Sequence, residues 1–350
     1  MTGFAIVGCG MIARFHAWAL AEVPTARLLA LVSRNPANAR TLADQLDLSC
    51  DTYSEIGPVL ARPDVNAVIV TTPSGAHLEH AVAAAEAGKH VVVEKPLEIT
   101  LQRCDRIIDA CARNRVQLCT IFPSRFGDAN LALKRAVDAG RFGRLTLGET
   151  TCKWWRPQSY YDEGGWKGTR ALDGGGALMN QAIHNVDLLL WLMGPVTHIN
   201  GFTATLAHQR IEVEDTAVAC LRFANGALGV IQATTSVHPG LPKTIAIHGD
   251  NGSVVIEQDD VLRWELTPET EEDKAIRQRF AVKTGASGGS SNPAAISHAG
   301  HARQLADFVQ AIETGRSPLV DGREGRKAVE VILGFYRAAE TRQVVSLNIP

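Results

Sequence analysis

No apolar run in the chain approaches the ~20 residues that a membrane-spanning helix needs, and no basic stretch followed by a long apolar segment opens it. An excess of one charge is also missing. Lys and Arg number 35 and Asp and Glu 37, a net charge of -2. No Lys/Arg-rich run offers a footprint for nucleic acid or an anionic membrane. The seven cysteines are odd in number and none forms Cys-x-x-Cys. A disulfide framework is therefore not expected, and the thiols read as buried packing groups in a reducing, cytoplasmic compartment. No His-x-x-x-His pair or His/Cys/carboxylate cluster stands at ligand spacing, so no metal site is expected. Internal repeats are absent.

What is present is 350 residues of ordinary globular composition, 45% hydrophobic and 21% charged. That length fits two domains, each able to bury a core. The first third alternates short apolar runs with helical spacing. Strands are expected at 4–7, 28–32, 67–70, 91–93 and 116–121, and helices at 11–22, 38–46, 80–87 and 101–113. Continuous apolar strands between helices mean a parallel sheet covered on both faces. The pattern breaks at Pro123–Gly127. The expected domains are 1–123 and 124–350, with the C-terminal helices free to pack back on the first. Beyond the break the spacing predicts helix 129–139, a strand near 145–151, a glycine-led helix over 176–193 and strands near 197–206, 215–223, 227–235, 243–249 and 253–258. Helices at 300–314 and 323–341 close the chain. Asn225-Gly226 and Asp250-Asn251-Gly252 mark hairpin turns. This is an α+β second domain. Residues 284–292 read as a loose connection by composition, or alternatively as a lid.

Gly8-Cys9-Gly10-Met11-Ile12-Ala13 follows the first strand and opens the first helix, matching G-x-G-x-x-A. Gly8 permits the tight turn, Gly10 lets the backbone approach a pyrophosphate, and the small Ala13 lets helix and strand pack closely. The N–H groups at Met11 and Ile12 and the helix dipole suit phosphates. The second strand ends in Ser33-Arg34-Asn35. No carboxylate stands there to repel a 2′-phosphate and Arg34 can pair with one, which favours NADP; alternatively Ser33 accepts the ribose of NAD. Thr71, Thr72 and Pro73 end another parallel strand, on the edge where ligands bind, and His77 follows one turn later. His77 reads as a structural or supporting residue near the cofactor.

Glu94-Lys95-Pro96 ends the strand after that on the same edge. Pro96 keeps Lys95 out of the α region. A lysine held partly from water beside a cofactor can donate to a carbinol oxygen. Asn180 and His184 stand four apart on the glycine-led helix and are expected to share a face, with Asp187 close to the same stripe. Oxidation of a secondary alcohol needs a base for the hydroxyl proton, and histidine suits that near neutral pH. Asn180 can orient the hydroxyl; Asp187 is read either as a partner of the imidazole or as structural. Arg125, at the domain junction, and the loop residues Trp154, Arg156, Tyr160, Tyr161, Trp166 and Arg170 offer the flat faces and donors that a polyhydroxylated ring needs.

Together these motifs, with Ala87-Gly88-Lys89-His90-Val91 and Trp191-Leu192-Met193-Gly194, resemble the Gfo/Idh/MocA oxidoreductase family over nearly the whole chain. The resemblance implies a Rossmann dinucleotide-binding domain and an α+β domain with a large open, predominantly antiparallel sheet, through which homodimers or homotetramers form. It implies NAD(P)-dependent oxidation or reduction of sugars or polyols, with Lys95 as the active-site lysine and His184 as the catalytic histidine. Inositol-dehydrogenase-like members carry Asp where this chain has Asn180. The departure points away from inositol, toward nucleotide-sugar or glycoside 3-dehydrogenases. Two other readings stand beside hydride transfer: a redox-neutral glycoside-cleaving enzyme with tightly held NAD, and a non-catalytic sugar or cofactor sensor.

Overall fold

The computed structural model describes residues 1–163, 165–282, 290 and 297–347. The connection expected at 284–292 lies outside the described residues except for Ser290. The chain forms two compact units, Met1–Pro123 with Ser297–Val329, and Ser124–Ile296 with Glu330–Pro350. Residues 297–329, placed with the second domain by the expected boundary, count with the first unit.

The first unit runs β1 (Thr2–Val7), α1 (Met11–Ala21), β2 (Ala26–Val32), α2 (Pro36–Gln45), β3 (Asp51–Tyr53), α3 (Gly57–Leu60), β4 (Ala67–Val70), α4 (His77–Glu86), β5 (His90–Val93), α5 (Leu101–Arg113) and β6 (Leu118–Thr120). Its six parallel strands lie in the order β3-β2-β1-β4-β5-β6. Every residue of β1 and β4 is buried, as continuous apolar runs between helix layers require. The strand order reverses between β1 and β4, which places a crevice at their C-terminal ends, where Gly8 and Thr71 begin. The short β3 and α3 carry too few apolar residues for periodicity to show them.

The second unit runs α6 (Asp128–Asp138), β7 (Leu145–Lys153), α7 (Gln158–Asp162), α8 (Ile183–Met193), β8 (Val196–Ala204), β9 (Thr216–Phe223), β10 (Leu228–Thr234), β11 (Thr244–Gly249), β12 (Gly252–Glu257), β13 (Asp260–Leu266) and α9 (Glu271–Arg279). The chain ends with α10 (Ala299–Thr314) in the first unit, α11 (Gly322–Thr341), which spans the division, and β14 (Val345–Ser346) in the second. Eight strands form a sheet in the order β13-β12-β11-β7-β10-β9-β8-β14, antiparallel except for the β7–β10 pair. Along β9, Ala217, Ala219, Leu221 and Phe223 are buried while Val218 and Cys220 are exposed, the alternation of a sheet with one covered face. The covered face meets α8, where Asn185 donates to the Thr150 hydroxyl at 2.7 Å and to the carbonyls of Thr151 and Thr244. β13 and α9 were not expected. α9 was nonetheless legible: Thr270 and Asp273 form a reciprocal capping box.

The helix expected over 176–193 is two pieces. Ala177–Ala182 is π-helical and only Ile183–Met193 is α-helical. Buried Glu214 stands at the start of the first piece. Its carboxylate accepts the N–H groups of Gly176 and Leu178, each at 2.9 Å, and its own carbonyl accepts that of Ala177 at 3.0 Å. These contacts cap the segment's first N–H groups from outside, and because the segment is π-helical, Asn180 and His184 do not stand in the simple α-helical register expected from their spacing. All seven cysteines are free thiols. Among the described residues no helix is long and apolar enough to cross a membrane.

Candidate active site

In the first unit the glycine turn sits at the switch point. Gly8 has φ +101, and a Cβ there would lie 2.7 Å from the Thr71 carbonyl oxygen, so only glycine fits. Gly10 differs: a Cβ would meet nothing within 4 Å. Gly10 caps α1 with no side-chain hydrogen bond, and no acidic residue stands in the first turn. The N–H groups at the start of α1 therefore face open space with no internal acceptor from a cap, the arrangement that holds an anion. Ile12 is half-buried and Met11 is exposed beside it. These residues fit a dinucleotide pyrophosphate.

The neighbouring strand ends are braced internally. Thr71 donates its hydroxyl to the Gly8 carbonyl at 2.6 Å, and Thr72 donates to the Ala76 carbonyl at 2.9 Å. Pro73 is half-buried. His77 is buried, with Nδ1 2.9 Å from the Pro96 carbonyl oxygen and Nε2 3.0 Å from that of Thr72. Burial pushes its pKa down, against the pull of Glu98 and the two carbonyls. Glu94 is buried as well. Its Oε1 lies 2.8 Å from His16 Nε2, and its Oε2 accepts the Lys95 amide N–H at 3.0 Å. Burial raises the Glu94 carboxyl, but the His16 hydrogen bond and the charges of His16, His301 and Lys95 outweigh it and hold the group at about 2. The side chains of Thr71, His77 and Glu94, grouped with the cofactor contacts from sequence, thus make contacts within the fold. Lys95 itself is half-buried and is joined to Pro96 by a cis peptide bond. At the end of β2, the Ser33 N–H donates to the Tyr53 carbonyl at 3.0 Å, Arg34 is exposed, and Asn35 caps α2 through Ala37.

In the second unit the π-helical segment carries a connected polar row. Asn180 is buried and donates to Asp173, while its carbonyl oxygen accepts from Gln181 at 3.0 Å. Gln181 Nε2 also lies 3.0 Å from the Tyr160 hydroxyl, and Arg156 donates to Gln181 Oε1 at 3.0 Å. His184 is half-buried in the first turn of α8. The carboxylate of Asp187 receives Arg125 at 2.9 and 2.7 Å, both side chains buried. Arg125, expected to face substrate, is thus a bidentate partner of the residue suggested for orienting the imidazole.

The expected aromatic wall divides. Trp154 and Tyr161 are buried, and Tyr161 shares a 2.9 Å hydrogen bond with Thr235. Buried Arg156 stacks over Trp154 at 4.9 Å. Arg170 is exposed and donates to the Glu212 carbonyl at 3.0 Å. Tyr160 and Trp166 remain half-buried, and Lys167, a neighbour of Trp166 in the same loop, stands 3.8 Å over the Tyr160 ring. Burial lowers the Lys167 pKa, with Asp173 opposing. Sequence reasoning also missed Glu214, His16 and His301; the Glu in Val213-Glu214-Asp215 carried no local signal of its distant partners.

Residues 2–122 match the family model described as "Oxidoreductase family, NAD-binding Rossmann fold", and residues 130–255 match that of the GFO/IDH/MocA C-terminal domain. The chain belongs to the Gfo/Idh/MocA family. Its fold and its standing as an oxidoreductase follow from that membership. Among solved structures, the chain is similar to the WlbA dehydrogenase of Bordetella pertussis, in complex with NADH and UDP-GlcNAcA. That protein is 32% identical to this chain, with 99% of each covered and a TM-score of 0.87. Levoglucosan dehydrogenase of Pseudarthrobacter phenanthrenivorans is 28% identical over 317 residues, 80% of this chain and 79% of that one. Myo-inositol 2-dehydrogenase of Thermotoga maritima is 26% identical, with 98% of each chain covered.

Proposed function

We propose that this chain transfers hydride between a ring hydroxyl of a sugar, glycoside or related polyol and C4 of a nicotinamide dinucleotide. The observation that carries the reading is the uncapped start of α1 at Gly10, open at the point where the strand order reverses. A bound nicotinamide supplies the hydride acceptor. The N–H groups of Gly10, Met11 and Ile12 hold its pyrophosphate. Lys95 donates to the substrate oxygen and stabilises the alkoxide, His184 takes the hydroxyl proton, and Asn180 orients the hydroxyl without titrating. Asn180 is suited to that role because Asp173 and Gln181 fix its amide.

Relatives crystallised with NADH support NAD as the cofactor, with Ser33 on the ribose; an exposed Arg34 is the feature that would favour NADP. The UDP-GlcNAcA complex of WlbA supports a nucleotide sugar as the first substrate class to try. The names of the relatives do not favour the glycoside-cleaving alternative. A homo-oligomer in the cytoplasm is the expected state. Phe202 beside Val218, and Leu228, expose apolar side chains on the uncovered face of the eight-stranded sheet. A monomer by sedimentation equilibrium would refute that part.

The experiment is a panel of nucleotide sugars, free sugars, anhydrosugars and inositols, each mixed with NAD or NADP and followed by the absorbance of reduced nicotinamide. At least one sugar should give sustained reduced cofactor. Cofactor binding with no reduction by any member of the panel would instead support a sensor.

A further inference from the structure

Lys95 is held on both sides by its own main chain, and each hold ends on a buried histidine. On the amide side, Glu94 Oε2 accepts the Lys95 N–H at 3.0 Å while Oε1 lies 2.8 Å from His16 Nε2. His16 lies on α1, the helix that starts at the open glycine turn. On the carbonyl side, Pro96 offers its oxygen to His77 Nδ1 at 2.9 Å, and His77 Nε2 faces the Thr72 carbonyl oxygen at 3.0 Å. His77 is the first residue of α4, beyond the end of β4. His16, Glu94 and His77 are all buried, so these contacts do not compete with water. A buried carboxylate that accepts both an imidazole and a main-chain N–H is a charge-assisted anchor, stronger than a neutral turn contact.

We propose that His16 and His77 are positioning residues for Lys95, His16 acting through the Glu94 carboxylate on its amide and His77 through the Pro96 carbonyl. The inference rests on the reading of Lys95 as the group that donates to the substrate oxygen. It adds that the cofactor helix and the lysine turn are joined by one side-chain bridge. Displacing a reacting group by ~1 Å costs on the order of 100-fold in rate, so losing either hold should appear in turnover.

The ligand atoms of His16, Glu94 and His301 lie within 4.8 Å of one another, which raises a metal reading. The 2.8 Å contact between His16 and Glu94 is a hydrogen-bond length. Among the described residues Nδ1 of both His16 and His301 has no hydrogen-bond partner, whereas metal-bound imidazoles are oriented through their second nitrogen. The cluster is therefore read as a hydrogen-bonded carboxylate.

The test is a pair of double-mutant cycles. His16→Leu and His77→Leu are each made in the wild-type chain and in Lys95→Met, with NAD affinity and thermal melting measured for every protein. In the wild-type background each should lower kcat by about 10- to 100-fold. His16→Gln, which keeps an N–H donor, should recover most of the loss. In Lys95→Met the same substitutions should change residual turnover by no more than about twofold, because their route of action is gone. An equal loss in both backgrounds, or no loss in the wild-type background, overturns the proposal. Should His16→Leu fail to fold, His16→Ala takes its place and is judged with His77→Leu by the same criteria. Wild-type turnover in Lys95→Met alone would instead reject the role of Lys95, a separate failure.

Discussion

Two helices in this chain are led by glycines, and the glycines are there for opposite reasons. Before α1, a Cβ on Gly10 would meet nothing within 4 Å, and the helix start has no side-chain cap. Before the π-helical segment, a Cβ on Gly176 would lie 1.7 Å from the Glu214 carbonyl oxygen, and one on Gly175 would lie 2.2 Å from the Tyr336 hydroxyl. Gly10 leaves room for something that comes and goes. Gly175 and Gly176 let Glu214 and Tyr336 close on the backbone, where Tyr336 donates to Glu214 at 2.9 Å. Read as sequence the two motifs look alike. What separates them is what a missing side chain would touch.

The comparison is sharpest at Gly176. Gly176→Ala should destabilise the second unit by about 3 kcal/mol or more, because the atom in its way is main chain and cannot swing aside; urea unfolding would show it. A wild-type midpoint would mean that the close approach to Glu214 is not required.

His301 of α10, packed beside His16 of α1, gives a pH test of a similar size. Burial first, and then His16, depresses the pKa of His301 from 6.5 to about 4, with Glu94 opposing. Its neutral form is thus favoured by folding. The contribution is complete above the unfolded value, falls as pH drops from 6.5, and levels off below about 4. Over that window about 3 kcal/mol should be lost. Denaturant midpoints for wild type and His301→Leu should converge toward the acid end, and parallel curves would contradict the assignment.

The smallest effect on folding belongs to Gly10. Gly10→Ala should leave stability within about 0.5 kcal/mol, yet weaken NAD binding by roughly tenfold or more through the close pyrophosphate approach. Unchanged affinity would remove the phosphate site from α1.

The same contrast explains how much could be read from sequence. The first unit was legible because its strands are unbroken apolar runs and its glycine turn is local: Phe4–Val7, Ala67–Val70 and His90–Val93 appear within a residue or two of their expected places. Lys95 was picked out as a candidate through its place between Glu94 and Pro96. The π-helical segment was not, because the residues that pack on its start, Glu214 and Tyr336, lie far along the chain. The roles of Arg125 and Asp187 were hidden for the same reason, since their pairing is tertiary. His301 gave no sign of standing beside His16 and Glu94, although the three come together in the first unit.

The most direct test of the account is a single-turnover measurement of reduced-nicotinamide formation with the best substrate of the panel, in wild type and in Lys95→Met, alongside a titration of NAD into both. The account predicts that Lys95→Met binds NAD as wild type does but forms reduced cofactor at least about 100-fold more slowly. Equal rates in the two proteins would contradict it.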